Sequence, residues 1–121
     1  MSNIESDPYG VSPHTPGAKL DAGKTRAWLC ISGFSNALSE VARVTTQGAK
    51  KYTPSGWRAV PDGHDRYMDA LARHLLAVGV GEVTDKDTGC LHLAQVAWNA
   101  LAALEIKLDD MRATNDSATR R

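Results

Sequence analysis

Apolar residues recur through the middle of the chain at the three-and-four spacing of helices. Nowhere do they alternate with period two for long enough to predict a strand. A first helix is expected from about Ser32 to Lys51, with Leu38, Val41, Ala42 and Thr45 on one face and Asn36, Glu40, Arg43 and Gln47 on another. Gly48 and the segment Thr53-Pro54-Ser55-Gly56 close it. A second is expected from about His64 to Val80, after the breaker Pro61-Asp62-Gly63, with Tyr67, Ala70, Leu71, His74, Leu75 and Val78 at helical spacing. A third, from about Thr88 to Asp110, is apolar almost all round through Leu91, Leu93, Val96, Trp98, Leu101, Leu104 and Ile106. Such a helix is expected to be buried on several sides. In a short chain that means a central position or an interface between copies. A weaker helix over Arg26 to Leu29 is expected to merge with the first. The predicted fold class is all-α, a small helical bundle assembled as a dimer or tetramer.

Three segments follow from this pattern. Residues 1–24, with Pro8, Pro13, Pro16, Gly10, Gly17 and Gly23, read as an irregular arm. Residues 25–110 form the helical domain, and residues 111–121 a polar, frayed tail. Composition sharpens the picture in only a few respects. The 14 basic and 14 acidic residues cancel, so no global field draws the chain to a nucleic acid polymer or a membrane surface. Cys30 and Cys90 match no metal or redox spacing and are expected to be buried free thiols. The polar opening residues carry no apolar signal segment, and no apolar run has the length of a membrane span. The expected location is the cytoplasm.

Candidate chemistry concentrates around the third helix. His92, Gln95 and Asn99 stack on one face of an otherwise apolar rod. That stripe is either a hydrogen-bond network holding helices in register or the wall of a polar pocket. Just upstream, the loop Gly81–Gly89 carries Glu82, Asp85 and Asp87. Helix capping accounts for one of these acids, whereas the Glu-x-x-Asp spacing of Glu82 and Asp85 suits shared coordination of a hard cation. The second helix adds Arg66, Asp69 and Arg73, which as a group also read as a surface charge ladder. His74 lies on its apolar face, where a core histidine is the plainer reading. Lys50, Lys51 and Tyr52, with Trp57 beyond, offer cations and rings to phosphate and base, although lysines at a helix C-terminus also complement its dipole. The run Gly17 to Thr25 imitates a phosphate loop but has one residue too many between its glycines and no preceding strand. It leaves only Lys19 and Lys24 as anion contacts from the arm.

An ordered series of segments carries a family resemblance: Gly17-Ala18-Lys19-Leu20-Asp21, Gly48-Ala49-Lys50-Lys51-Tyr52, Gly56-Trp57, Arg66-Tyr67-Met68-Asp69-Ala70, Arg73-His74, Gly81-Glu82-x-x-Asp85, His92-Leu93-Ala94 and Trp98-Asn99-Ala100. Over roughly residues 16–106 the chain resembles the phage-type dATP/dGTP diphosphohydrolase N-terminal family, itself similar to all-α pyrophosphohydrolases of the MazG type. The resemblance implies hydrolysis of a purine deoxynucleoside triphosphate between its α and β phosphates, Mg²⁺ as cofactor and a homo-oligomer. Of the Glu-Glu-x-x-Glu cluster of the MazG type, only Glu40 stands here. The metal would then rest on Glu40, Asp69, Glu82 and Asp85, with Glu40, Glu82 and Asp85 catalytic. Lys50, Lys51, Arg66 and Arg73 would meet phosphates. His92 and Asn99 would meet sugar or base, with Trp57 or Tyr67 stacking on the ring, and Tyr52 and His74 complete the substrate-binding set. The alternative is a protein that sequesters nucleotide in the same pocket without turnover.

Overall fold

The structure, a computed structural model, describes residues 4–119, with side chains described to residue 116. It divides into two compact units, Met1–Gly33 and Phe34–Arg121.

The first unit is irregular up to helix α1 (Ala27–Gly33). Asp7 organises it. Its carboxylate accepts backbone N–H bonds from Lys19 at 2.9 Å, Tyr9 at 2.7 Å and Val11 at 3.4 Å. The donors at Lys19 and Tyr9 outweigh desolvation and, with Val11, hold the Asp7 carboxyl below its ordinary range. Among the described residues, the arm predicted as irregular thus has no regular element before α1, yet its turns are tied together. Cys30, expected to be buried, is exposed, because no residue of short α1 is buried. Cys90 is buried, and both thiols are free.

The second unit contains α2 (Ser35–Lys51), a 3-10 turn (Gly56–Ala59), α3 (Gly63–Gly79) and α4 (His92–Thr119). The expected merger of the first two helices does not occur. Phe34, at φ −117° and ψ 27°, leaves helical geometry between α1 and α2. Helices α3 and α4 form the main packed pair, and α2 and the 3-10 turn lie against α4. The pair runs antiparallel: His74 meets His92 at one end, while Gly63 meets Ile106 at the other. Gly63 is buried, and a Cβ there would lie 3.0 Å from the Ile106 side chain, so a glycine lets the start of α3 approach α4.

The third predicted helix shifts at both ends. It begins at His92 rather than Thr88 because Thr88 to Leu91 close the preceding loop through a bridge between Thr84 and Leu91. It runs past Asp110 to Thr119 because residues 111–119 contain neither glycine nor proline to stop it. The frayed tail expected there is helix as far as Thr119, and residues 120–121 lie outside the described residues. Among the described residues there is no strand, as expected.

The larger correction concerns which face of α4 is buried. Its inward face carries His92, Gln95 and Asn99 with the small residues Ala94, Ala102 and Ala103. Leu93, Leu101, Leu104, Leu108 and Met111 are all exposed on the single chain. The all-round apolar character resolves into a polar seam inside and a leucine stripe outside.

The middle of the bundle is pinned by three rings. Trp98 of α4 stands edge-on to Tyr67 of α3 (5.6 Å between centroids) and to Trp57 of the 3-10 turn (5.9 Å). Tyr67 donates its hydroxyl to the Trp57 carbonyl at 2.8 Å, and burial raises its pKa. Replacing Trp98 with alanine removes the ring that both others share, so Trp98→Ala is expected to cost about 3 kcal/mol. Urea denaturation of the full chain measures this; a loss below about 1 kcal/mol would show that the rings pack independently.

Candidate active site

The loop between α3 and α4 is a closed structure that delivers two carboxylates to the start of α4. Gly81 (φ 93°) turns the chain out of α3, and Gly89 (φ 73°) turns it back toward α4. Both occupy the left-handed region that glycine enters without strain. Backbone bonds join Asp85 N–H to Cys90 O at 2.8 Å, Gly89 N–H to Asp85 O at 2.8 Å and His92 N–H to Val83 O at 3.0 Å. Thr88 caps the turn by accepting the Cys90 N–H at 3.1 Å. The loop backbone is therefore held, and with it the positions of Glu82 and Asp85.

These two acids meet the polar seam of α4. Asp85 Oδ2 accepts the Gln95 Nε2–H at 2.9 Å, and its Oδ1 accepts the Asp87 backbone N–H at 2.9 Å. Gln95 also donates to Thr88 Oγ1 at 3.2 Å. Glu82 Oε2 lies 3.2 Å from His92 Nε2, and His92 Nδ1 lies 2.9 Å from His74 Nδ1. His74 comes from α3, so three separate segments converge on one cluster. His92 and Gln95 are 6% and 7% exposed, whereas the Glu82 side chain is 59% exposed. The cluster therefore has a buried floor and a carboxylate rim. Among the described residues, no buried side-chain nitrogen or oxygen lacks a partner.

Charge in the cluster follows from these contacts. Burial raises the Asp85 carboxyl, but the Gln95 and Asp87 donors and the neighbouring imidazoles outweigh it and hold the group below its ordinary range. His74 is pushed down by burial, partly offset by Asp85, with His92 and Arg73 lowering it further. At neutral pH the site thus holds an ionised Asp85 and a neutral His74.

The structure brings together His74, Glu82, Asp85 and His92 of the predicted residues. Gln95 of the expected polar stripe joins them, and the structure adds Thr88, three residues after Asp85. Arg73, exposed beside His74, is close enough for its charge to act on that imidazole. The others lie apart from this hydrogen-bonded network. Glu40 pairs with Arg43 on α2 at 3.1 Å. Lys50, Lys51 and Tyr52 are exposed at the end of α2, where the Lys51 ammonium sits 5.2 Å from the Tyr52 ring. Arg66 donates to the Pro61 carbonyl at 3.1 Å, and Asp69 is exposed on α3. Trp57 and Tyr67 pack with Trp98, and Arg58 covers Trp57 at 4.6 Å. Asn99 donates to the carbonyl of Gln95 at 2.8 Å within its own helix. In the N-terminal unit an open groove of about 930 Å³ is lined by Tyr9, Lys24, Arg26 and Trp28. Lys24 there is ion-paired with Glu5 at 3.0 Å, and the Lys19 backbone serves Asp7.

The donor set bears on the metal. A resident Mg²⁺ takes octahedral oxygen ligands, whereas His74, Asp85 and His92 present nitrogen and oxygen atoms within 4.8 Å of one another. This mixed set does not fit a resident Mg²⁺. Among the described residues, no helix is long and apolar enough to cross a membrane.

Comparison with known proteins gives a consistent assignment. A dATP/dGTP diphosphohydrolase of Salmonella phage PMBT28 is 35% identical over 81 residues, which cover 67% of this chain and 26% of that protein. The chain thus spans about a quarter of that relative's length. No solved structure matches. The family model described as dATP/dGTP diphosphohydrolase, N-terminal, matches residues 14–116, which include α1, α2, α3, the acidic loop and most of α4. By that match, the chain belongs to the dATP/dGTP diphosphohydrolase N-terminal family.

Proposed function

We propose that the chain hydrolyses purine deoxynucleoside triphosphates to the monophosphate and pyrophosphate at the cluster of His74, Glu82, Asp85, His92 and Gln95. The observation that carries this reading is the convergence of α3, the acidic loop and α4 on one polar site within the family match. Mg²⁺ belongs here to the substrate, arriving on the triphosphate oxygens. Phosphoanhydride cleavage needs charge on those oxygens balanced and a water held in line, with little covalent work by the protein. The water oxygen bonds to the α-phosphorus as the bond to the bridging oxygen breaks, and pyrophosphate leaves with that oxygen. Glu82 takes the water proton: one oxygen is held by His92, and the side chain remains mostly exposed. Arg73, exposed beside His74, is the cation that would meet the phosphates.

The test is incubation of the full chain with dATP, dGTP, dCTP and dTTP in Mg²⁺, followed by chromatography of monophosphates and a pyrophosphate assay. Equal amounts of dAMP or dGMP and pyrophosphate are expected. Binding without product across all four would replace this reading by sequestration. The ion pair of Glu40 with Arg43, which leaves that carboxylate partnered on its own helix, is the feature that favours the second reading.

A further inference from the structure

We propose that His74, Asp85 and His92 form a site for a divalent transition ion of the zinc class. Imidazole nitrogen with carboxylate oxygen is a donor set that zinc, cobalt and manganese accept and magnesium does not favour. Four features of the cluster support it.

One ligand atom from each of the three residues lies within 4.8 Å of the others; ligands of one zinc stand at most about 4.2 Å apart, so side-chain rotations of about half an ångström bring all three onto a single ion. The Nδ1 atoms of His74 and His92 are 2.9 Å apart. Two nitrogens bound to one tetrahedral ion at about 2.0–2.1 Å stand about 3.3 Å apart, so a shift of a few tenths of an ångström suffices.

The tautomers are also set for it. Glu82 is the carboxylate facing His92 Nε2, so that nitrogen carries the proton and His92 Nδ1 keeps its lone pair. A carboxylate behind a ligating histidine is the usual arrangement that fixes ring orientation at metal sites. Without an ion, His74 donates its Nδ1–H to that lone pair. With one, His74 moves its proton to Nε2 and turns the same nitrogen to the metal.

The third ligand is equally fixed. Gln95 and the Asp87 N–H each hold one oxygen of Asp85, leaving further lone pairs for an ion. Three protein ligands leave a fourth position open, as in zinc sites that bind water or substrate.

The site needs no nucleotide, so the experiment uses metal alone. The full chain, stripped with a chelator, is titrated with Zn²⁺ by calorimetry and with Co²⁺ by visible absorption. One ion per chain is expected, with cobalt bands of low-coordinate imidazole ligation and no displacement by equimolar Mg²⁺. His74→Ala and His92→Ala should each abolish this binding, while His64→Ala, whose exposed ring pairs with Asp65, leaves it unchanged. Glu82→Gln keeps an acceptor but loses the charge, and should weaken Zn²⁺ about 10-fold. Ring-nitrogen NMR of the wild type, which needs no folded variant, should show Zn²⁺ shifting Nδ1 of both His74 and His92. Failure of the wild type to bind Zn²⁺ and Co²⁺, binding that survives loss of both imidazoles, or unshifted ring signals would overturn the proposal. A chain that binds zinc and hydrolyses no nucleotide would leave this site standing and refute the hydrolytic reading instead.

Discussion

Asp85→Asn should abolish nucleotide hydrolysis and also destabilise the protein, because no orientation of the new amide satisfies both of its donors. In the wild type, one carboxylate oxygen takes the Gln95 amide and the other takes the Asp87 N–H. An asparagine has one oxygen and one NH₂. If the oxygen faces Gln95, the NH₂ opposes the Asp87 N–H; flipped, it opposes the Gln95 amide. One donor is left unpaired in either case, at a cost of about 1–3 kcal/mol. Lost catalysis with intact helicity, in an assay that also reports the melting temperature, is the expected pair of results. Full activity in Asp85→Asn would reduce the acidic loop to a capped turn.

The same carboxylate sets a sign for pH. The folded Asp85 pKa lies below its unfolded value, so its contribution is complete above the ordinary carboxylate range and is lost as pH falls through the folded value. His74, also depressed, contributes stability above the ordinary histidine range and loses it as pH falls through the lower folded value. Acid should therefore weaken the fold in two successive stages. Asp85→Asn removes the more acidic stage. Stability that rises on acidification through the histidine range would contradict the half-buried, neutral His74.

The second large effect concerns assembly. Leu93, Ala97, Leu101, Leu104, Leu108 and Met111 follow spacings of three and four along α4, a length of about 27 Å at 1.5 Å per residue. Leu93 is 60% and Leu104 53% exposed on the single chain. Fully burying an exposed leucine contributes about 1.5–3 kcal/mol; these side chains are about half exposed, so each adds roughly half of that, and the continuous stripe together drives pairing with another helix. A second copy supplies the same stripe, and a two-fold pairing buries both at once. Light scattering of the wild type at micromolar concentration should report a dimer or larger species. Leu104→Glu places a charge in the middle of the stripe and should shift the protein to monomer while preserving its helicity. A monomeric wild type would refute the pairing outright.

The helices themselves were legible in the chain, because amphipathic spacing and the breakers around Pro54 and Pro61 act locally. Their middles agree closely with the structure, and the disagreements fall at ends where a distant partner decides. Nothing near Thr88 in sequence says that Thr84 will bridge to Leu91 and postpone the helix to His92. The polar stripe of His92, Gln95 and Asn99 was likewise visible as a pattern, and so was the acidic loop.

What periodicity did not contain was the direction each group faces. Leucines usually go inside, yet here the close approach of α3 to α4 selects alanines and hydrogen-bonded polar groups for the interior and turns the leucines outward. Histidine 74, a plausible core residue by its apolar neighbours, becomes part of the site only because the antiparallel pair sets it against His92. Glu40 and Asp69 carry the right charge for a metal, but charge does not fix position, and α2 keeps Glu40 against Arg43. Local chemistry in the sequence determined the helices and the stock of donors. Only tertiary packing decided which donors share a site, because hydrogen-bond and metal geometry operate over about 3 Å, far below the resolution of a spacing rule.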